Sequence, residues 1–337
     1  MANSVPVIGL LKFEPRLVEK VWGGRRLETA FGRTLPADSP TGESWEISGL
    51  RQAPTYVSSG PLKGADLYRV SATHGAEVFG PDLVEECMRD FPLLVKFIDA
   101  SNVLSVQVHP ADEYARGEGF AYGKSEAWVI VAADEGGCVY RGFAPGTTPE
   151  SFRKALDAGD VASVEACLNK VVVKPGDVID LPAGVVHAIG AGLLLCEIQQ
   201  SCDLTYRVYD WGRVGLDGKP RELHLDKAFD VMEFGRVGDD CAPGRDEPAE
   251  GVARTVYRDA YPFHLETAEL SGEAHLATPE GRFEIICVLS GTGRIVSPAG
   301  DESAFGPGQS VMVPASWDGY RVAADAPLKW VRSWVVS

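Results

Sequence analysis

The chain has 337 residues, enough for two modest domains with ample buried core. Its formal net charge of −16 excludes a nucleic-acid or anionic-membrane surface, either of which needs a basic face, and confines any anionic ligand to a local basic pocket. A composition of 45% hydrophobic and 24% charged residues, with 37 Gly and 22 Pro, favours many short strands and turns over long helices.

Residues 1–12 lack the charged start and long apolar core of a signal peptide, and no segment approaches the roughly 20 apolar residues that cross a bilayer. The seven cysteines are scattered and form no C-x-x-C, so they read as reduced structural thiols. A cytoplasmic protein is expected. Residues 13–24 read as a strand leading into a turn, with Lys20-Val21-Trp22-Gly23-Gly24 at its end. Residues 41–48 form a second strand with Glu and Trp in alternation, and residues 67–89 a loop and short helix. Residues 93–98 are a buried strand that turns at 99–102 into the next one, a hairpin pattern.

That next strand is Ser105-Val106-Gln107-Val108-His109-Pro110. Residues two apart on a strand share a face, so Gln107 and His109 project together while Val106 and Val108 pack on the other side. Lys124-Ser125-Glu126-Ala127-Trp128 repeats the device with Lys124 and Glu126, and its strand runs on to residue 133. Thr148 is a helix N-cap with Pro149 at the first position, opening two short amphipathic helices that insert into a strand-rich domain. Strands resume at Val171, and Pro182-Ala183-Gly184-Val185-Val186-His187 delivers another histidine after a tight turn. Gln107, His109, Glu126 and His187 form a mixed oxygen and nitrogen set that suits a divalent metal such as zinc, with positions left open. Residues 197–213 alternate polar groups in the manner of a pocket lining rather than of an antiparallel strand pair with one wet face, and Arg207 and Arg213 are candidate cationic contacts to a substrate anion or a developing oxyanion.

A faint internal copy follows. Pro175-Gly176-Asp177-Val178-Ile179-Asp180-Leu181-Pro182-Ala183 aligns with Pro307-Gly308-Gln309-Ser310-Val311-Met312-Val313-Pro314-Ala315, and the Glu126 strand with the one beginning at Glu284. Where the first copy has His187 the second has Gly319. Two related β domains are therefore expected. The first, residues 1–240, binds metal and carries a helical insertion at about 147–170; the second, residues 250–337, is degenerate and metal-free. The Gly-, Pro- and charge-rich stretch 235–251 joins them.

With these motifs in hand, the sequence resembles the type I phosphomannose isomerases in their short bacterial form. The resemblance is strongest from Leu93 to Arg213 and extends upstream through Trp22-Gly23-Gly24 and the strand 42–48. It implies a mainly β protein of two cupin or jelly-roll-like domains and one zinc ion per chain, held by Gln107, His109, Glu126 and His187. The implied reaction is aldose–ketose isomerisation between mannose 6-phosphate and fructose 6-phosphate through an enediol(ate). Lys124, Glu197, Asp203 and Arg207 would be the catalytic groups; Arg207 supplies fixed charge because arginine stays protonated. Trp22, Ser105, Lys124, Arg207 and Arg213 would contact the substrate, Trp22 by stacking on the sugar from its glycine-flanked turn. Val21 stands where the family usually has proline, and Ile189 where longer members carry tyrosine. The expected partner is a small sugar phosphate, with no nucleic acid or membrane, and the expected state a monomer or weak homo-oligomer. The rival readings are a non-catalytic sugar-phosphate-binding module and another metal-cupin enzyme such as an oxygenase.

Overall fold

The alternation of apolar and polar residues forces this chain to bury one face of nearly every strand, and the strands close into antiparallel sheets. The structure is a computed structural model that describes residues 8–235, 241–249 and 251–336. The expectations for residues 1–7, and for 236–240 within the joining stretch, lie outside the described residues. Among the described residues, no helix is long and apolar enough to cross a membrane.

The chain divides into two compact units. One comprises Leu17–Ser44 and Lys96–Pro243; the other comprises the described residues up to Arg16, Trp45–Val95 and those from Gly244 onward. The expected first domain, 1–240, is thus broken twice, since the described residues up to Arg16 and Trp45–Val95 group with the C-terminal part. The cause is long-range strand pairing. Leu11 pairs with Met312, and Phe13 with Val57. The helix Leu67–Phe79 ends at Gly80, whose φ of 91° brings it against the carbonyl of Gly281. A Cβ at Gly80 would lie 1.8 Å from that oxygen, so only glycine fits. Phe79 and Phe91 then pack on Phe283, with ring centroids 5.6 and 5.4 Å away.

Two sheets that face each other carry the sequence motifs. One has the strand order Val178–Leu181, Glu126–Ala133, Leu193–Gln200, Leu93–Ala100, Thr41–Ser48 and Arg16–Gly24. The other runs Tyr206–Tyr209, Val106–Val108, His187–Ile189, Cys138–Phe143 and Leu168–Val172. This is the jelly-roll arrangement, and Trp128, Ile130, Ile179, Leu195, Val139 and Ile189 fill the space between the sheets. The hairpin expected of residues 93–98 and the Gln107 strand does not form. Leu93–Ala100 and Val106–Val108 lie in different sheets, as do Leu193–Gln200 and Tyr206–Tyr209. Each connection turns a barrel corner instead of reversing within one sheet, which periodicity along the chain does not register.

Thr148 caps the helix Pro149–Ala158 in a reciprocal capping box with Ser151, and Asp160 caps Val161–Glu165. Phe152 from this insertion packs beneath the second sheet beside Val106 and Val108. The valines of the Gln107 strand therefore face the helices, and Gln107 faces the barrel interior.

In the other unit, the strands Phe263–Ala277 and Gly319–Val335 run antiparallel from Phe263↔Val335 to Ala277↔Gly319. The strand Glu284–Ser290 pairs with Ser310–Val313 and with Gly319–Val335. Glu284 lies opposite Val313 as Glu126 lies opposite Leu181, so the aligned segments occupy matching places in their barrels.

Candidate metal centre and active site

Four side chains from three separate stretches meet inside the motif-bearing barrel. His109, Glu126 and His187 are each at most 1% exposed, and one ligand atom from each lies within 4.8 Å of the others. His187 Nε2 is 3.3 Å from Glu126 Oε1, and His109 Nε2 is 3.7 Å from Glu126 Oε2. Gln107 joins them because it pairs directly with His187 across the sheet, which puts its amide Nε2 3.3 Å from His187 Nε2. A half-turn of that amide exchanges its nitrogen for its oxygen.

The rings are prepared for a cation. His109 Nδ1 donates to the carbonyl of Leu204 at 3.0 Å, and His187 Nδ1 donates to that of Val185 at 2.9 Å. A carbonyl only accepts, so the proton sits on Nδ1 and leaves each Nε2 lone pair facing the centre. Burial, then the charges of Lys124 and His187, hold His109 well below the usual imidazole range. Burial also pushes His187 down to about 4. Both rings are therefore neutral near pH 7, the form that ligates metal. Both Glu126 oxygens are buried and accept no hydrogen bond from the described residues. A carboxylate left that way asks for a cation. Lys124 supplies part of it, with Nζ 3.1 Å from both Glu126 Oε2 and His109 Nε2. Two neutral imidazoles, a carboxylate and an amide fit a borderline divalent ion.

A cavity of about 360 Å³ opens beside this group. Of the expected catalytic and substrate residues, Trp22, Ser105, Lys124, Glu197, Asp203 and Arg207 all line it. Arg213 does not. It lies beyond the end of the strand Tyr206–Tyr209, where Nε and Nη2 reach Asp210 at 2.9 and 2.8 Å and Nη1 donates to the carbonyl of Val103. Trp22 lies on the strand Arg16–Gly24 and not in a turn, and is 3% exposed. Its ring packs over Gly42, where a Cβ would come within 2.6 Å of it. Trp22 is thus a core residue with one edge on the cavity. Ile98, Leu104 and Ile189 complete the apolar wall.

Glu197 is 3% exposed. Trp128 Nε1 donates to its Oε2 at 2.9 Å, and Lys96 Nζ lies 3.3 Å from its Oε1. Burial, then the nearby Glu126 charge, pushes the Glu197 carboxyl up. Burial opposes the Lys96 charge, but Glu197, Glu43, Asp203 and Glu126 outweigh it and drive that amine upward. Lys96, Lys20, Glu43 and Arg221 line the cavity yet escaped the sequence reading. Lys96 did leave a signal, a lone charge inside the apolar run 93–98, since an unpaired lysine is almost never buried. Arg221 left none, because it lies on an irregular loop.

Comparison with known proteins gives a consistent answer. Residues 10–127 match the family model described as phosphomannose isomerase type I, catalytic domain. The chain is 36% identical over 289 residues to mannose-6-phosphate isomerase of Streptococcus mutans, covering 85% of this chain and 86% of that protein. It is 36% identical over 288 residues to mannose-6-phosphate isomerase ManA of Bacillus subtilis, covering 85% and 87%. Among solved structures, the mannose 6-phosphate isomerase from Bacillus subtilis superposes with a TM-score of 0.86 at 29% identity, over 97% of this chain and 99% of that one.

Proposed function

The chain belongs to the type I phosphomannose isomerases, and from that premise we propose that it interconverts mannose 6-phosphate and fructose 6-phosphate as a zinc enzyme. One observation carries the reading. The buried Gln107, His109, Glu126 and His187 group opens onto a cavity whose other polar walls are Lys124, Glu197, Asp203 and Arg207. A non-catalytic binding module would not need that many charges beside a ligand set.

Zinc held by Gln107, His109, Glu126 and His187 would supply Lewis-acid charge that polarises a carbonyl or hydroxyl. The remaining work falls to side chains. In the open-chain aldose, Glu197 Oε1 takes the proton from C2, and the C–H electron pair becomes the C1–C2 double bond of an enediol(ate). The same carboxyl returns the proton to C1, while the hydroxyl proton on O2 passes to O1, leaving a ketone at C2. Glu197 suits the role because Trp128 fixes its other oxygen and its raised affinity for protons brings it nearer the working pH. Lys124 is held at the ligand end by Glu126, where its charge offsets that of the enediolate. Arg207 adds a cation that never titrates. The apolar wall of Trp22, Ile98, Leu104 and Ile189 limits water beside the reacting carbons.

The other barrel has Gly319 at the position of His187, and we assign it no metal. The test is a coupled assay on mannose 6-phosphate. Turnover should vanish on chelation and return with zinc; full activity in metal-stripped protein would overturn the metal's role. Ligand binding without any turnover would favour a binding module instead.

A further inference from the structure

Five cations line the cavity: Lys20, Lys96, Lys124, Arg207 and Arg221. Each lysine has a carboxylate close by. Lys20 lies 3.1 Å from Glu43, Lys96 3.3 Å from Glu197, and Lys124 3.1 Å from Glu126. The arginines are different. Arg207 Nη1 donates at 2.8 Å to a neutral group, the carbonyl of Glu222, and its Nε is buried with no acceptor among the described residues. Arg221 places Nε and Nη2 on Asp210 at 2.7 and 2.5 Å, which leaves Nη1 without a hydrogen bond to the described residues.

Asp210 is not available to Arg221 alone, because Arg213 also takes it through two nitrogens. Two guanidiniums thus share one carboxylate, and the third, Arg207, donates to a backbone carbonyl instead. Asp203, the remaining acid of the lining, is exposed and acts on Lys96. The Arg207 end of the cavity therefore carries excess positive charge in a chain whose net charge is −16, since the carboxylates acting on Arg207 are Asp210, already shared by two arginines, and the solvent-exposed Glu222. Burial and then the Arg221 charge also lower the Arg207 guanidinium from its usual range, in keeping with two like charges facing a common space. A phosphate monoester carries about −1.5 to −2 near pH 7 and offers three acceptor oxygens, the complement of two forked guanidiniums.

We propose that Arg221, oriented by Asp210, binds the phosphate of the substrate together with Arg207 and so sets the preference for phosphorylated over neutral sugars. This rests on the sugar-phosphate isomerase reading above. Arg207 pairs with Gln107 across the sheet, so the phosphate end begins one strand from the ligand group. Arg213, which touches the same carboxylate from outside the cavity, takes no part in binding.

The test compares wild type with R221Q, R221K and R213Q, using mannose 6-phosphate, unphosphorylated mannose and inorganic phosphate as probes. R221Q should raise KM for mannose 6-phosphate by about tenfold or more, with kcat falling much less. It should weaken competitive inhibition by inorganic phosphate to the same degree. kcat/KM on mannose should fall far less, so the ratio between the two sugars collapses, and R221K should restore part of it. R213Q should keep phosphate inhibition within a few fold of wild type. Unchanged KM and phosphate inhibition in R221Q would overturn the assignment, as would an equal loss in R213Q. If R221Q does not fold, R221K decides: phosphate affinity clearly weaker than that of wild type in calorimetry supports the forked guanidinium's role, while affinity equal to wild type, or no phosphate binding by wild type itself, refutes the site. If wild type binds phosphate through Arg221 but turns over no mannose 6-phosphate, the isomerase reading has failed and this site has not.

Discussion

At the level of single residues, the site separates into groups that hold a cation and groups that move a proton, and substitution should tell them apart. His187→Ala removes a neutral nitrogen whose tautomer is set by the Val185 carbonyl. Bound metal should fall below stoichiometry in elemental analysis, and activity should drop by more than about 100-fold. Glu197→Gln keeps the shape and the Trp128 hydrogen bond but removes the basic oxygen. Here kcat should fall by about 10²–10⁴ while metal content and KM stay near wild type; retained kcat would eliminate Glu197 as the proton carrier. The ligands were legible because Gln107 and His109 stand two apart on a strand and because Glu126 and His187 fall in distinct motifs. Arg221 was not, since its position depends on a loop folding back to Asp210. Arg213 was misread for the same reason: alternation assigns a face of a strand, and Arg213 lies past the strand's end at Tyr209.

The elements show which local signals survive tertiary packing. The capping box at Thr148 is a local device, and Thr148→Ala should cost about 1 kcal/mol in urea unfolding. Phe152, three residues into the same helix, is fully buried and meets Phe143 edge-on with ring centroids 5.0 Å apart. Phe152→Ala should cost about 3–5 kcal/mol. An equal cost for the two would mean that the insertion is not packed through Phe152 as described. The internal copy is also an element-scale feature. Glu197 lies opposite Trp128, and Arg332 lies opposite Ile286. Trp128 and Ile286 each stand two residues after a glutamate that begins its strand, so Arg332 occupies the place of Glu197. The charge at that place is inverted. Arg332 reaches Glu284 at 2.5 Å and Glu266 at 2.8 Å, and so bridges two buried glutamates, the second of which Arg254 also pairs. The same backbone thus carries a cavity-lining carboxylate in one barrel and a buried guanidinium in the other.

At the scale of the whole molecule, that buried network governs how the protein responds to acid. Burial pushes the Glu266 carboxyl up, but the hydrogen bonds from His264 and Arg254 and the charge of Arg332 outweigh it and hold it at about 2. A carboxylate depressed on folding stabilises the native state above its unfolded value, near 4.3, and that contribution is lost as pH falls toward the folded value. Stability measured by denaturant should therefore drop between about pH 5 and pH 2, with roughly 3 kcal/mol of the loss due to Glu266. Glu266→Gln should be less stable at pH 7 and show a flatter acid limb; an unchanged acid limb would show that Glu266 is not the linked group. The sequence alone made legible the class of the protein, its mainly β architecture and a candidate ligand set, because side-chain alternation and motif spacing are properties of neighbours along the chain. Only the tertiary structure decided which segments make up each unit, which arginine faces the cavity and which carboxylate answers which cation. Those outcomes depend on strand pairings tens to hundreds of residues apart, such as Leu11 with Met312, and no local pattern encodes them.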